Sequence, residues 1–551
     1  MSSSETGARK ALIIAAVLLP ALIVIGQAAY FYHVNMSELD LGMPIDDAYI
    51  YKRYAENIAH GNGYSFNPGE TSFGATGVIY PPVMALLTAA LPFLEYVSVA
   101  FWLGALCLAG AASSAVLITR RKTGSAGAGL LAGVLIAASP LLFMNAISGM
   151  EAPLTIALLT LFAWLALSEK ERPAAAGLTA GLLTLCRPEA AYFPMGAIFF
   201  FALSYLSRGQ RVPIKSAAKF IAGWALLAVP VALVVHHQIG SFLPNTYMGK
   251  IISSVPGSLD RGIIERAVLG VMSFIDGWVA LAWPLHFLAP VMAVGLLWVG
   301  LSALRDFLGR DRGQKPYLLL VLLGYFTLPG SYGFSYPIHP PFGGYYVRYI
   351  APLFAVWMIL GAIGLHGVYA WAAGRWSTNK EKARIIAGAS LAIMLLYQGY
   401  LWSFQHRDAL EVFKREVTLN TGLRMDAAKW IRQNTPSNAK IMVGYTGLGV
   451  VGGEAGRYVL DVGALINPDI YDYYIKSGTG PKQKWQAILE YMKDRKIDYY
   501  VTFTAPEDSV FKIPDPAETD GISEVARLGV KGEPEMPYQQ IRIYRVEHDE
   551  I

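Results

Sequence analysis

The chain has 551 residues, 54% hydrophobic and only 15% charged, with a net charge of +5 and a mean hydropathy of +0.39. A soluble protein carries about a quarter of its residues as charges, so the composition argues against a soluble enzyme. The 67 aromatic residues exclude disorder, the two cysteines (Cys107 and Cys186, each in an apolar run) exclude a disulfide scaffold, and the small net charge gives no reason to expect nucleic acid as a partner.

Charge is unevenly distributed. Residues 403–551 hold 41 of the charged side chains, leaving 44 for the first 402 residues. An apolar body is therefore expected at 1–403 and a small soluble α/β domain at 404–551. Apolar runs long enough to cross a bilayer recur near 11–32, 97–119, 126–146, 151–168, 173–187, 190–206, 217–236, 284–304, 316–330, 349–373 and 383–403, which predicts about eleven membrane helices. The first run is long enough to serve as an uncleaved anchor. With the N-terminus in the cytoplasm, 19 of the 26 Lys and Arg residues of the body fall on the cytoplasmic side, as the positive-inside rule requires. An odd number of spans then puts the tail outside.

The long first outer loop, 33–96, contains an amphipathic stretch from Asp46 to His60 and an apolar one from Tyr80 to Phe93, too short to span and expected to lie along the outer interface. In the tail the pattern predicts a helix over Leu423–Gln433, a strand at Ile441–Val443, a helix at Lys484–Arg495, and strands at Tyr499–Phe503 and Ile541–Arg545. No GxxxxGK[ST] phosphate loop or zinc-ligand spacing is found, and the chain reads as lacking a dinucleotide fingerprint, so ATP-driven transport has no support.

The sharpest local signal is Asp46-Asp47-Ala48-Tyr49-Ile50, followed by Arg53 and by GNGYSFNPGE from Gly61. Acids in a first helical turn favour the helix dipole and satisfy free N–H groups. The same pair can also supply a general base for a hydroxyl nucleophile, with the second carboxylate orienting substrate or helping to hold a divalent cation (Mg, Mn or Ca). Arg53 follows two turns after Asp46 on the same face. Seven basic residues fall outside the topogenic clusters, among them Arg53, Arg187, Lys250 and Arg348. Glu151 and Arg187 stand at outer ends of spans, where isolated charge is costly and tends to find a partner. His237 ends another span, and Tyr345 and Tyr346 belong to an aromatic belt or to a sugar-binding surface.

With these motifs in order, Asp46-Asp47, GNGYSFNPGE, GATGVIYPPVMALL, Ser148-Gly149-Met150-Glu151, Arg187-Pro188-Glu189, Leu243-Pro244-Asn245-Thr246-Tyr247 and Arg348-Tyr349, the chain resembles the bacterial GT-C glycosyltransferases, and most closely their arabinofuranosyl- and mannosyltransferase branches. The resemblance implies a multi-pass enzyme of the bacterial inner membrane that takes a sugar from a polyprenyl-phosphate donor. It would pass that sugar, with inversion, to an extracytoplasmic glycan, lipid or protein hydroxyl. It implies Asp46 as base with Asp47 as its partner or as the true base. Donor-phosphate contacts would fall to Arg53, Lys250 and Arg348, and further substrate contacts to Tyr49, Glu151, Arg187, Asn245, His237, Tyr345 and Tyr346. Two alternatives stand beside it: a lipid or glycan transporter or flippase that binds without reaction, and a ligase of lipid-linked glycans that shares the same side of the membrane and the same lipid. Broken helices at the bilayer midplane and twofold hydropathy repeats would favour the transporter; the candidate charges gather in outer loops instead.

Overall fold

The computed structural model describes residues 3–166, 172–191, 213–240, 288–308, 347–375, 380–444, 447–478, 481–503, 513–529 and 540–548, with a few single residues between 195 and 246. The body is helical. Helix α1 (Ser3–Ser37) leads into the first long loop with α2 (Asp46–Ala59) and α3 (Tyr80–Ala90); then come α4 (Tyr96–Thr123), α5 (Ala126–Ala137), α6 (Pro140–Ala146), α7 (Ala152–Ala166), α8 (Pro173–Cys186), α9 (Ile214–Ile239), α10 (Leu288–Leu308), α11 (Val347–Arg375) and α12 (Lys380–Leu419).

Among the described residues four helices are long and apolar enough to cross a membrane, within α1, α4, α9 and α11. The run expected as one span near 126–146 is two helices bent by 60°. The break is local chemistry: Ser139 is extended ahead of Pro140, as a residue before proline prefers, and its hydroxyl caps α6 by accepting from the Leu142 N–H. The expected span near 316–330, and most of that near 190–206, lie outside the described residues. Lipid tails give helices no hydrophobic reason to associate, so small residues that admit close backbone contact hold a bundle together. Gly364 of α11 lies against Gly295 of α10 so closely that a Cβ would overlap backbone.

Helix α12 runs without a break through residue 404, where the boundary between body and tail was expected, and passes by a π-turn at 420–424 into α13 (Met425–Asn434). The tail is a five-stranded sheet in the order β2-β1-β3-β5-β4, with β1 (Lys440–Val443), β2 (Tyr458–Asp461), β3 (Tyr499–Phe503), β4 (Ile522–Gly529) and β5 (Gln540–Val546). Strands β2, β1 and β3 are parallel; β5 and β4 are antiparallel additions. Helices α14 (Ile470–Ser477) and α15 (Pro481–Arg495) join β2 to β3.

Alternation along β1 sends Met442 to one face of the sheet and Ile441 and Val443 to the other. Met442 packs with Tyr474, Trp485 and Ile488 of α14 and α15. Ile441 and Val443 join a core that contains Tyr54, Phe66 and Tyr80 of the loop between α1 and α4. Loop and tail, some 400 residues apart, thus share one apolar core.

Candidate active site

Helix α2 begins where Ile45 is extended, with both carboxylates in its first turn, and Ile45 supplies no capping side chain. Asp46 is buried and points into the tail. Its Oδ2 accepts from the Gly449 N–H and its Oδ1 from the Val450 N–H, both at 2.9 Å, while Arg424 Nε stands 3.8 Å from Oδ1. Arg424 is held in turn by Asn420 and by the Phe503 ring, 5.1 Å from its guanidinium carbon. Burial raises the Asp46 carboxyl above its ordinary range, and Arg424 and the two N–H groups oppose that shift.

The donors belong to a tight glycine-rich turn. Gly447-Leu448-Gly449-Val450-Val451-Gly452 has the G-x-G-x-x-G spacing, directly after β1 and ahead of the parallel β2. This corrects the expectation that the chain lacks such a fingerprint.

Around this contact the loop docks onto the tail along its length. Lys52 Nζ lies 2.5 Å from Glu454 Oε1 and 2.9 Å from Glu56 Oε1. The GNGYSFNPGE stretch, with Gly61, Gly63 and Gly69 at positive φ, is a docking loop: Asn67 exchanges two hydrogen bonds with the Val459 backbone, and Tyr458 donates to Glu70 at 2.7 Å. Arg53 Nε donates to the Phe66 carbonyl at 3.1 Å. Asn245 joins both sides, its N–H donating to the Phe73 carbonyl and its amide to the Leu465 carbonyl, each at 3.1 Å. The Tyr49 hydroxyl accepts from the Met43 N–H at 3.1 Å. Arg53, Tyr49 and Asn245 thus stand in the framework of the loop and its seat.

The other side of α2 faces the membrane helices. Asp47, one residue and about 100° round the helix from Asp46, is only partly buried. One turn on from it, Tyr51 accepts from the Gly77 N–H at 3.0 Å and meets Tyr80 edge to face. Gly77 packs against Glu151, where a Cβ would stand 3.0 Å from Cγ, and against the Cys186 carbonyl. Glu151 and Arg187 are brought together, with Arg187 Nη2 at 2.9 Å from Glu151 Oε1. Gly149, at positive φ, seats α2: a Cβ there would stand 3.1 Å from that of Ala48.

His237 is exposed at the end of α9. Arg348 lies in the first turn of α11, and Lys250, Tyr345 and Tyr346 fall outside the described residues. Among the described residues no group of three His, Cys, Asp or Glu side chains could hold a metal ion. The tail's contribution was missed in the sequence. Its one legible sign was the glycine-rich turn.

No protein-family profile and no curated protein matches the sequence. Two crystal structures of ArnT from Cupriavidus metallidurans do match in three dimensions. The form bound to undecaprenyl phosphate aligns with a TM-score of 0.53 at 13% identity, over 95% of this chain and 98% of that one. The apo form aligns with a TM-score of 0.54 at 12% identity, over 95% and 97%. The chain has the GT-C fold. Within this GT-C fold, α2 is wedged between the helices of the body and the tail, with Asp46 turned to the tail.

Proposed function

We propose that the chain is a membrane glycosyltransferase that moves a sugar from a polyprenyl-phosphate donor to an acceptor hydroxyl on the outer side of a bacterial plasma membrane. The observation that carries this reading is an acidic pair opening the first-loop helix of a GT-C fold. The acceptor oxygen bonds to the anomeric carbon from the face opposite the phosphate, the bond from that carbon to the phosphate oxygen breaks, and polyprenyl phosphate leaves. The acceptor proton passes to a carboxylate. Asp47 suits that task better than Asp46, because both Asp46 oxygens already accept N–H bonds in a buried seat. Lys250 and Arg348 are proposed to neutralise the departing phosphate, a role that needs positive charge rather than a proton donor. The split of basic residues supports a cytoplasmic N-terminus and an external tail.

The test is product formation by purified protein in liposomes, supplied with polyprenyl-phosphate donors of defined sugars. Asp47→Asn is expected to melt like the wild type and to lose transfer at least about a hundredfold, in the range typical of general-base removal. Near-normal transfer in Asp47→Asn would remove it from the chemistry. Reporter fusions after Arg121 and Lys380 should report cytoplasm, and fusions after Gly69 and Ile551 the outside.

A further inference from the structure

In a dinucleotide-binding turn the second glycine lets backbone N–H groups approach an anion, and the third lets the turn pack onto the sheet. Both roles are filled here. A Cβ at Gly449 would overlap the Asp46 carbonyl oxygen and stand 3.0 Å from its carboxyl carbon. A Cβ at Gly452 would stand 3.2 Å from Val459 Cγ1 on β2. The acid at the end of β2, Asp461, spends its carboxylate on the N–H groups of Leu465 and Ile466 at 3.0–3.1 Å. The turn therefore has the form of a phosphate site, but its N–H groups close on a carboxylate of the same chain.

We propose that the glycine-rich turn of the tail is an intramolecular carboxylate cradle: it grips Asp46, fixes the first turn of α2, and so aims Asp47. Asp46 is then a positioning residue, and the tail is a structural part of the active site. The aiming role rests on the transfer reaction proposed above; the cradle itself does not.

Arg53 and Gly453 offer a direct probe. A Cβ at 453 would lie 3.9 Å from that of Arg53, within the span of a disulfide. The full-length Arg53→Cys, Gly453→Cys protein has four thiols when reduced and two when bridged, since Cys107 and Cys186 are free, so maleimide counting after denaturation reads the bridge. Under a mild oxidant the bridge should form readily with Asp46 present. It should form about tenfold more slowly with Asp46→Asn or with Gly449→Ala, each of which disturbs buried charge-assisted hydrogen bonds. Asp47→Asn should bridge at the original rate. Equal rates in all backgrounds, or no bridge with Asp46 intact, would overturn the cradle.

The second arm measures transfer before and after bridging. Asp46→Asn and Gly449→Ala should lower kcat with little change in donor KM, and bridging should restore most of kcat to both. A loss in Asp46→Asn that bridging leaves untouched while Gly449→Ala recovers would make Asp46 chemical rather than positional. Absence of transfer in the parent protein with every donor would sink the proposed reaction while leaving the bridging rates to judge the cradle.

Discussion

The two flanks of α2 are held by different means. Toward the tail, polar and backbone-directed contacts rim a shared apolar core: a carboxylate on two N–H groups, an ammonium on Glu454, and an asparagine pairing with β2. Toward the membrane helices the contact is close-packed, with Gly149 and Gly77 admitting α2 and Tyr51 beside the buried Glu151–Arg187 pair. Water can compete for the first kind at its margins and reaches the second hardly at all, since those two charged side chains are 2% and 1% exposed. The same short helix therefore meets one flank held by directed hydrogen bonds over a shared apolar core and one held by close packing around a buried ion pair.

The largest effect is expected on the membrane side. Arg187→Met leaves the Glu151 charge buried without its guanidinium, and removing one member of a buried pair costs about 3–5 kcal/mol. A melting temperature well below that of the wild type in detergent is the expected result; an unchanged melt would show that the pair is not what secures this flank.

An intermediate effect is expected from Asp461 on the tail side. Burial pushes its carboxyl up to about 6 from an ordinary 3.8. Between those values the unfolded chain releases the proton while the folded chain keeps it, so this residue's contribution to stability falls as pH rises across the window and is level above it. Melting curves from pH 4 to 6 should show that slope in the wild type and a shallower one in Asp461→Asn. Equal slopes would remove Asp461 as their source.

The smallest effect is expected from Lys52→Met. Its pair with Glu454 is about one-fifth exposed on each side, and such pairs contribute about 0.2–1 kcal/mol. Loss of tail docking in this variant, read by the bridging assay, would contradict the comparison.

How much of this could be read beforehand depended on distance along the chain. The ends of α2 and the four long apolar helices within α1, α4, α9 and α11 follow from local periodicity, and Asp46-Asp47 marks the start of α2. The pairing of Glu151 with Arg187 was foreseeable because isolated charges at span ends seek partners. Strand β2 was not predicted, although at four residues it is as long as β1, which was. Strand β4 was hidden because it lies at the sheet edge and carries Glu524 and Arg527 among its apolar positions. The destination of Asp46 was hidden for a different reason: its partners lie 403 and 404 residues away, and nothing local distinguishes a carboxylate that caps its own helix from one that enters another domain.

Helix α12 gives the arrangement a mechanical side. Its 40 residues make a rod of about 60 Å, twice the hydrocarbon thickness of a bilayer. The part nearest the tail is braced by Phe413 on Phe31 of α1 and by Lys414 on Glu38 just past its end, and it passes into α13 with no loop between. The tail thus rides on a strut geared to α1, and its azimuth is set by helical phase. One residue inserted beyond the brace would turn everything above it by about 100° and raise it by about 1.5 Å, carrying the glycine turn out of line with α2 although no residue of either had been altered.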